Sequence, residues 1–197
     1  MTSKNKKENF ASHIFVQNVP NEQVVQNLRD FAQETQVGEV KHLKELGRGS
    51  YGVVSKCIVS VKGKEIVAAV KKPKKRNKEP VTDFFTEAFI LRQMISRSER
   101  FQPAKRLVNL LGLQLDDTDV YNSCMVLNFC GRRNLKKYIE NMKDVSLDYI
   151  RLLSSQVLGA VEELRSRRII HRDIKMDNMV YSVEEGLTLC DFGVATN

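Results

Sequence analysis

Apolar and polar positions change rhythm several times along this chain. Residues 1 to about 40 are mostly polar, but NEQVVQNLRDFAQE places Val24, Leu28 and Phe31 at i, i+4 and i+7. That spacing predicts an amphipathic helix with Asn21 as its N-cap. Its apolar face needs a partner, either the domain that follows or another protein. From Lys41 the pattern turns to β-branched residues broken by glycines, HLKELGRGSYGVVSKCIVSVKGKEIVAAVKK. Three strands are predicted there, at about 42–48, 51–60 and 64–72, with Gly63 in the second turn. A helix follows at about 82–97, where Phe84, Glu87, Leu91 and Met94 share a face at helical spacing. LVNLLGLQL and SCMVLNF predict two more short strands, NLKKYIENM a short helix and SLDYIRLLSSQVLGAVEEL a longer one. In the longer helix Leu147, Ile150, Leu153, Val157, Val161 and Leu164 form an apolar stripe, read as core. MVYSVEEGLTLCDFG predicts a hairpin. The order is five strands with one inserted helix, then helices, then a hairpin carrying polar residues; no internal repeat is visible.

Composition narrows the class. The chain has 197 residues, 42% apolar and 28% charged, which is ordinary for a soluble globular protein. The net charge of +8 favours acidic or phosphorylated partners. No aromatic-basic interleaving accompanies it, so no specific nucleic-acid binding is read from it. Cys57, Cys124, Cys130 and Cys190 are scattered without a CxxC, and His13, His42 and His171 lie far apart. That pattern suggests neither a disulfide framework nor a zinc site, and fits a reducing compartment, cytoplasmic or nuclear. No apolar run approaches the ~18 residues of a membrane span. The basic start, MTSKNKKENF, has no apolar core behind it and does not read as a secretory signal.

Four short stretches and Glu87 carry candidate chemistry. LGRGSYGVV is G-x-G-x-x-G-x-V at Gly47, Gly49, Gly52 and Val54. Glycines let a backbone turn sharply and approach phosphates closely. A strand follows this motif where a dinucleotide fold would open a helix, which favours a hairpin lid over a nucleotide. Lys71, ending the third strand in AAVKK, can reach the lid's phosphates as a point charge. Strand alternation turns Lys72 the other way. Glu87, an acid among apolar neighbours on an inward helix face, calls for a partner. HRDIKMDN (171–178) and DFG (from Asp191) then supply Asp173, Asn178 and Asp191. In the phosphoryl-transfer template these are one base and two metal ligands, with hard oxygens that suit Mg²⁺. Asp173 would orient or accept a hydroxyl proton, Asn178 and Asp191 would hold metal, and Lys175 would neutralise the transferring phosphate.

Taken in this order and spacing, the motifs resemble those of the eukaryotic protein kinases over about residues 42–197. The resemblance implies an α+β fold: a five-stranded antiparallel N-lobe with one helix (41–127), then the first part of a mainly helical C-lobe (131–197). Residues 1–40 would form an extension. It implies ATP and Mg²⁺ as cofactors and a protein substrate. The lid would be Leu46, Gly47, Arg48, Gly49, Ser50, Tyr51, Gly52, Val53 and Val54. Asn128, Phe129 and Cys130 would be the hinge that holds adenine through its backbone, with Leu127 as gatekeeper. Leu46, Val54, Ala69 and Val180 would sandwich the ring. HRDIK is similar to the serine/threonine branch, whereas RLVNLLGL is similar to tyrosine kinases.

Other residues read as structural. His171 is taken as a core residue of the loop, and Cys190 as a buried, inert thiol. KKPKKRNK (71–78) is read as a solvated connection, with a nuclear-import or acidic-partner patch as the alternative. The chain stops at DFGVATN. The family's activation segment, A-P-E motif and closing helical block are absent, so the sequence reads as a fragment or truncated product. Its 146–165 helix is expected to show an exposed apolar patch. The alternative to an active serine/threonine kinase is a catalytically impaired, pseudokinase-like nucleotide-binding or scaffold module; a small-molecule kinase is a weaker third reading.

Overall fold

A computed structural model describes residues 21–49, 52–74, 82–96 and 104–196. Five strands form one antiparallel sheet: β1 (Val37–Arg48), β2 (Gly52–Val61), β3 (Lys64–Pro73), β4 (Leu110–Gln114) and β5 (Cys124–Asn128), in the order β1-β2-β3-β5-β4. Helix α1 (Asn21–Thr35) precedes them, and α2 (Thr82–Ser96) is inserted between β3 and β4. Below the sheet come α3 (Leu135–Glu140), α4 (Leu147–Ser166) and the hairpin of β6 (Met179–Ser182) and β7 (Gly186–Leu189). This is the α+β architecture expected from the motifs. Among the described residues, no helix is long and apolar enough to cross a membrane.

Alternation along β3 sorts its side chains between two cores. Ala68 and Val70 join Cys57, Val59, Cys124 and Val126 on one face of the sheet. Ala69 joins the main core, with Phe84, Leu91, Met125 and Leu127. Lys71 shares the side of Ala69 and is buried, while Lys72 is exposed. β1 starts at Val37, five residues before the expected boundary, because Val37 and Val40 pair with Val61 and Val59 through bulges in the ladder. Polar exposed positions along β1 hide this pairing from a pattern reading.

The apolar face of α1 is taken up by the chain itself. Val24, Leu28 and Phe31 are at most 5% exposed and belong to the main core. Thr35 fastens the helix end: its hydroxyl donates to the Phe31 carbonyl (2.9 Å) and accepts from the Leu113 N–H (3.2 Å). The side chain of Asn21, the expected N-cap, lies outside the described residues. Asn134 and Ser146 do cap α3 and α4, accepting from the N–H groups of Lys137 and Tyr149. A cap of this kind contributes about 1 kcal/mol.

The stripe on α4 needs correcting. Leu153 and Leu164 are buried together with Ala160, and Val157 packs against the core, but Leu147, Ile150 and Val161 are exposed, as are Leu152 and Leu158. The inward face is the 153–157–160–164 line that meets β7, so apolar spacing alone overstated it.

Candidate active site

Side chains from β3, α2 and the segment after β7 meet at Lys71, next to the β1–β2 turn. Gly47 and Arg48 on β1 pair with Val54 and Val53 on β2, and the Gly49 N–H donates to the Gly52 carbonyl (3.0 Å). Ser50 and Tyr51 lie outside the described residues, as does the second half of the 71–78 basic run. The three glycines differ in cause. A Cβ on Gly52 would sit 2.7 Å from the Lys72 carbonyl oxygen, so β3 itself excludes a side chain. A Cβ on Gly47 or Gly49 would meet nothing within 4 Å. Arg48 is tied sideways to Glu45 at 2.7 Å.

Under this turn, Lys71 pairs across the sheet with Val54 on one side and Met125 on the other. Its ammonium binds Glu87 of α2 and stands 2.9 Å from Asp191 Oδ1. Glu87 is 1% exposed and also accepts from the Phe192 N–H. Burial alone would lower the pKa of Lys71, but Glu87 and Asp191 outweigh it and hold the ammonium protonated. Burial pushes the Glu87 carboxyl up, and Lys71 opposes that push. The pair stands ionised, since each group has charge-assisted partners.

Asp83, not anticipated from the sequence, lies one turn before Glu87. Burial and then the charge of Asp191 raise its carboxyl. A Cβ on Gly193 would come within 3.2 Å of Asp83 Cβ, so the glycine lets the segment after Asp191 pass close to α2. The signal that could have found Asp83 is its i−4 spacing from Glu87.

The HRDIKMDN loop hangs between α4 and β6. Ile170 exchanges backbone hydrogen bonds with Thr196 (2.8 and 3.0 Å), and Arg172 Nε donates to the Val194 carbonyl. His171, 2% exposed, packs at a tilt against Phe192, with ring centres 4.7 Å apart. Its Nε2 lies 3.1 Å from the Cys190 carbonyl, and its Nδ1 accepts from the Asp173 N–H (3.3 Å). Burial lowers its pKa, so the ring is a neutral brace between the loop and the Cys190–Phe192 segment. Lys175 Nζ (2.7 Å) and Asn178 Nδ2 (2.8 Å) both donate to Asp173 Oδ2. The Lys175 hydrogen bond is the main cause that holds the Asp173 carboxyl below its usual range.

Asn178 Nδ2 also donates to the Asp173 carbonyl (2.9 Å), which orients the amide. The Cys190 N–H donates to the Asn178 carbonyl (2.8 Å), so the chain just before Asp191 is bonded to the loop. Asp191 and Arg172 adopt left-handed φ values of 67° and 66°. Such backbone costs energy for a residue with a side chain and tends to gather at functional sites.

The residues expected to form the hinge begin at the end of β5. Ala69 pairs with Leu127, which is 6% exposed. The Asn128 side chain accepts from the Asn109 N–H (2.7 Å), and Lys56 lies over the Phe129 ring at 4.6 Å. At Gly131 (φ 153°) a Cβ would stand 3.0 Å from Val180 Cγ1, so the backbone after the hinge runs directly over Val180. Leu46, Val54 and Val180 are half-buried against the main core. The Cys130 thiol donates to the Asn128 carbonyl (3.5 Å) and the Cys190 thiol to the Thr188 carbonyl (3.8 Å), and the neighbouring Cys130 thiol and burial push Cys190 up. The described candidates thus fall into two bonded sets, Lys71 with Glu87 and Asp191, and Asp173 with Lys175 and Asn178, joined by the backbone bond from Cys190 to Asn178.

The protein kinase domain family model matches residues 40–197. Among similar proteins, the sporulation-specific mitogen-activated protein kinase SMK1 of Saccharomyces cerevisiae is 28% identical over 80% of this chain and 39% of its own length. Serine/threonine-protein kinase 32C of Mus musculus is 31% identical over 78% of the chain and 30% of its own length. Cyclin-dependent kinase 1 of Encephalitozoon cuniculi is 31% identical over 77% of the chain and 49% of its own length. The chain therefore spans less than half of each of these relatives.

Proposed function

Since the chain belongs to the protein kinase domain family, we propose that it transfers the γ-phosphate of ATP to serine and threonine hydroxyls of protein substrates. The observation that carries the reading is the buried Lys71 ammonium, held at once by Glu87 and by Asp191 at 2.9 Å. This contact joins the sheet, α2 and the segment after β7 around one charge aimed beneath the glycine turn.

Roles follow from chemistry. Open space at Gly47 and Gly49 suits close passage of phosphate groups under the backbone N–H groups. Lys71 meets those phosphates, and Glu87 fixes its direction. Leu46, Val54, Ala69 and Val180 face adenine, with the backbone of Asn128, Phe129 and Cys130 as its hydrogen-bonding edge. Asp173, ionised and steadied by Asn178 and Lys175, accepts the proton of the substrate hydroxyl. A positioned base of this kind contributes roughly 10²–10⁴-fold. Lys175 sits 2.7 Å from that carboxylate, close enough to offset charge on the incoming phosphate.

For metal, Asn178 Oδ1 and the second Asp191 oxygen are hard acceptors that remain after the hydrogen bonds above are assigned. Among the described residues no group of three acidic, His or Cys side chains could hold an ion unaided. Two protein oxygens, with phosphates and water completing the shell, fit Mg²⁺. When bound, the ion would neutralise charge on the phosphates. The names of the serine/threonine kinase relatives support the hydroxyl class, as does Lys175 in HRDIK.

The test is incubation of the chain with γ-labelled ATP, Mg²⁺ and a mixed peptide library, followed by phosphoamino-acid analysis. Label on serine or threonine is expected. Label on tyrosine alone, or none from a chain that binds ATP, would overturn the assignment.

A further inference from the structure

We propose that α1 is a positioning element for the reaction: through Phe31, Glu34 and Arg92 it holds α2 where Glu87 reaches Lys71. The inference rests on the kinase reading for its rate effect, not for its geometry. α2 has apolar residues all round, with Phe84, Phe85, Ala88, Phe89, Ile90 and Leu91 at most 4% exposed. A helix buried on every side needs a cover on the side away from the sheet. α1 packs against both α2 and β4 and provides it. Arg92 follows Glu87 by five residues, which turns it to another side of α2. Phe85, Ala88 and Phe89 share the Arg92 side by helical spacing. There the Arg92 guanidinium lies 4.8 Å from the centre of the Phe31 ring and 3.3 Å from Glu34 Oε2.

The other flank of α1 is anchored independently of α2. Arg29 pairs with Asp117 at 2.8 Å, the Leu113 N–H donates to Thr35 Oγ1 at 3.2 Å, and the Lys62 N–H donates to the Thr35 carbonyl at 3.1 Å. α1 is thus a bracket: one side fixed to the sheet that carries Lys71, the other to the helix that carries Glu87. Loosening the α1–α2 seam lets Glu87 withdraw and leaves Lys71 with Asp191 alone.

Two readouts test this on the whole chain. The first is labelling of Lys71 by an amine-reactive ester, scored against the exposed Lys64 in the same sample. Arg92→Ala and Phe31→Ala should raise Lys71 labelling several-fold, Arg92→Lys should recover part of the protection, and Arg165→Ala, which removes a surface pair elsewhere, should change nothing. The second is kcat for phosphoryl transfer. Arg92→Ala should lower it about tenfold to a hundredfold, the scale expected when a catalytic group is misplaced by about an ångström. In a Glu87→Gln background the same substitution should add little. A purely structural role would lower the melting temperature and give additive losses in kcat. Unchanged Lys71 labelling in both α1–α2 variants, or additive losses with Glu87→Gln, would overturn the proposal. Labelling requires no turnover, so a rise in labelling without any phosphate transfer would keep the bracket and overturn the kinase reading instead.

Discussion

Replacing Lys71 with methionine should unmask how much the buried charge cluster contributes. The stem keeps its volume, but Glu87, 1% exposed, loses its ammonium. Removing one partner of a buried pair costs about 3–5 kcal/mol. Protonation sets a ceiling on that cost, because Glu87 can become neutral instead. Its unfolded carboxyl titrates near ~4.3, and each pH unit corresponds to about 1.36 kcal/mol, so carrying the proton costs about 3.7 kcal/mol at pH 7 and about 1 kcal/mol at pH 5.

The direction with pH follows. Without Lys71, burial raises the folded pKa of Glu87 above its unfolded value. Such a group contributes stability that is fully present below the unfolded pKa and lost as pH rises through the folded one. Urea unfolding of both proteins at pH 5, 6, 7 and 8 should therefore give a destabilisation of about 3–4 kcal/mol at neutral pH that shrinks to about 1 kcal/mol at pH 5. A typical domain has 5–15 kcal/mol, so the variant should remain folded. The exposed Lys72→Met should stay within about 0.5 kcal/mol of the parent. A Lys71→Met cost equal to that of Lys72→Met at pH 7, or one that grows on acidification, would refute the buried-pair account.

Further outcomes are specific to single residues. Gly52→Ala should lower stability by about 1–3 kcal/mol, because its Cβ meets the Lys72 carbonyl at 2.7 Å. Gly47→Ala should leave the thermal melt near the parent's while weakening nucleotide binding, read by fluorescence titration. His171 titrates below its ordinary value because it is buried, so its contribution holds above about pH 6.5 and is lost as pH falls through the lowered folded pKa. Thermal melts between pH 7.5 and 5 should therefore show a steeper loss for the parent than for His171→Gln, and parallel curves would remove His171 as a buried neutral brace.

Much of this architecture is legible because local signals agree with it. β-Branched runs bounded by glycine mark β2 and β3, and period-2 alternation separates Lys71 from Lys72. The motifs of the candidate site are compact in sequence, so their order survives without knowledge of distant contacts. What remained hidden depends on such contacts. α2 reads as a one-faced helix through Phe84, Glu87, Leu91 and Met94, yet α1 covers its other side, and nothing in either segment alone announces that pairing. The exposed residues of β1 disguise its first five positions as extension. Asp83 gains its setting from Asp191, 108 residues later in the chain. The left-handed backbone at Arg172 and Asp191 comes from the mutual bonding of the loop and the segment after β7, which no propensity encodes.

Calorimetric titration with ATP, in the presence and absence of Mg²⁺, tests the proposed site most directly. The parent chain should bind ATP with clear dependence on Mg²⁺. Asp191→Ala should lose that dependence together with most of the affinity, whereas Asp173→Ala should bind as the parent does and fail only in phosphate transfer. A folded parent that binds no ATP, or an Asp191→Ala variant that binds MgATP as tightly as the parent, would contradict the assignment.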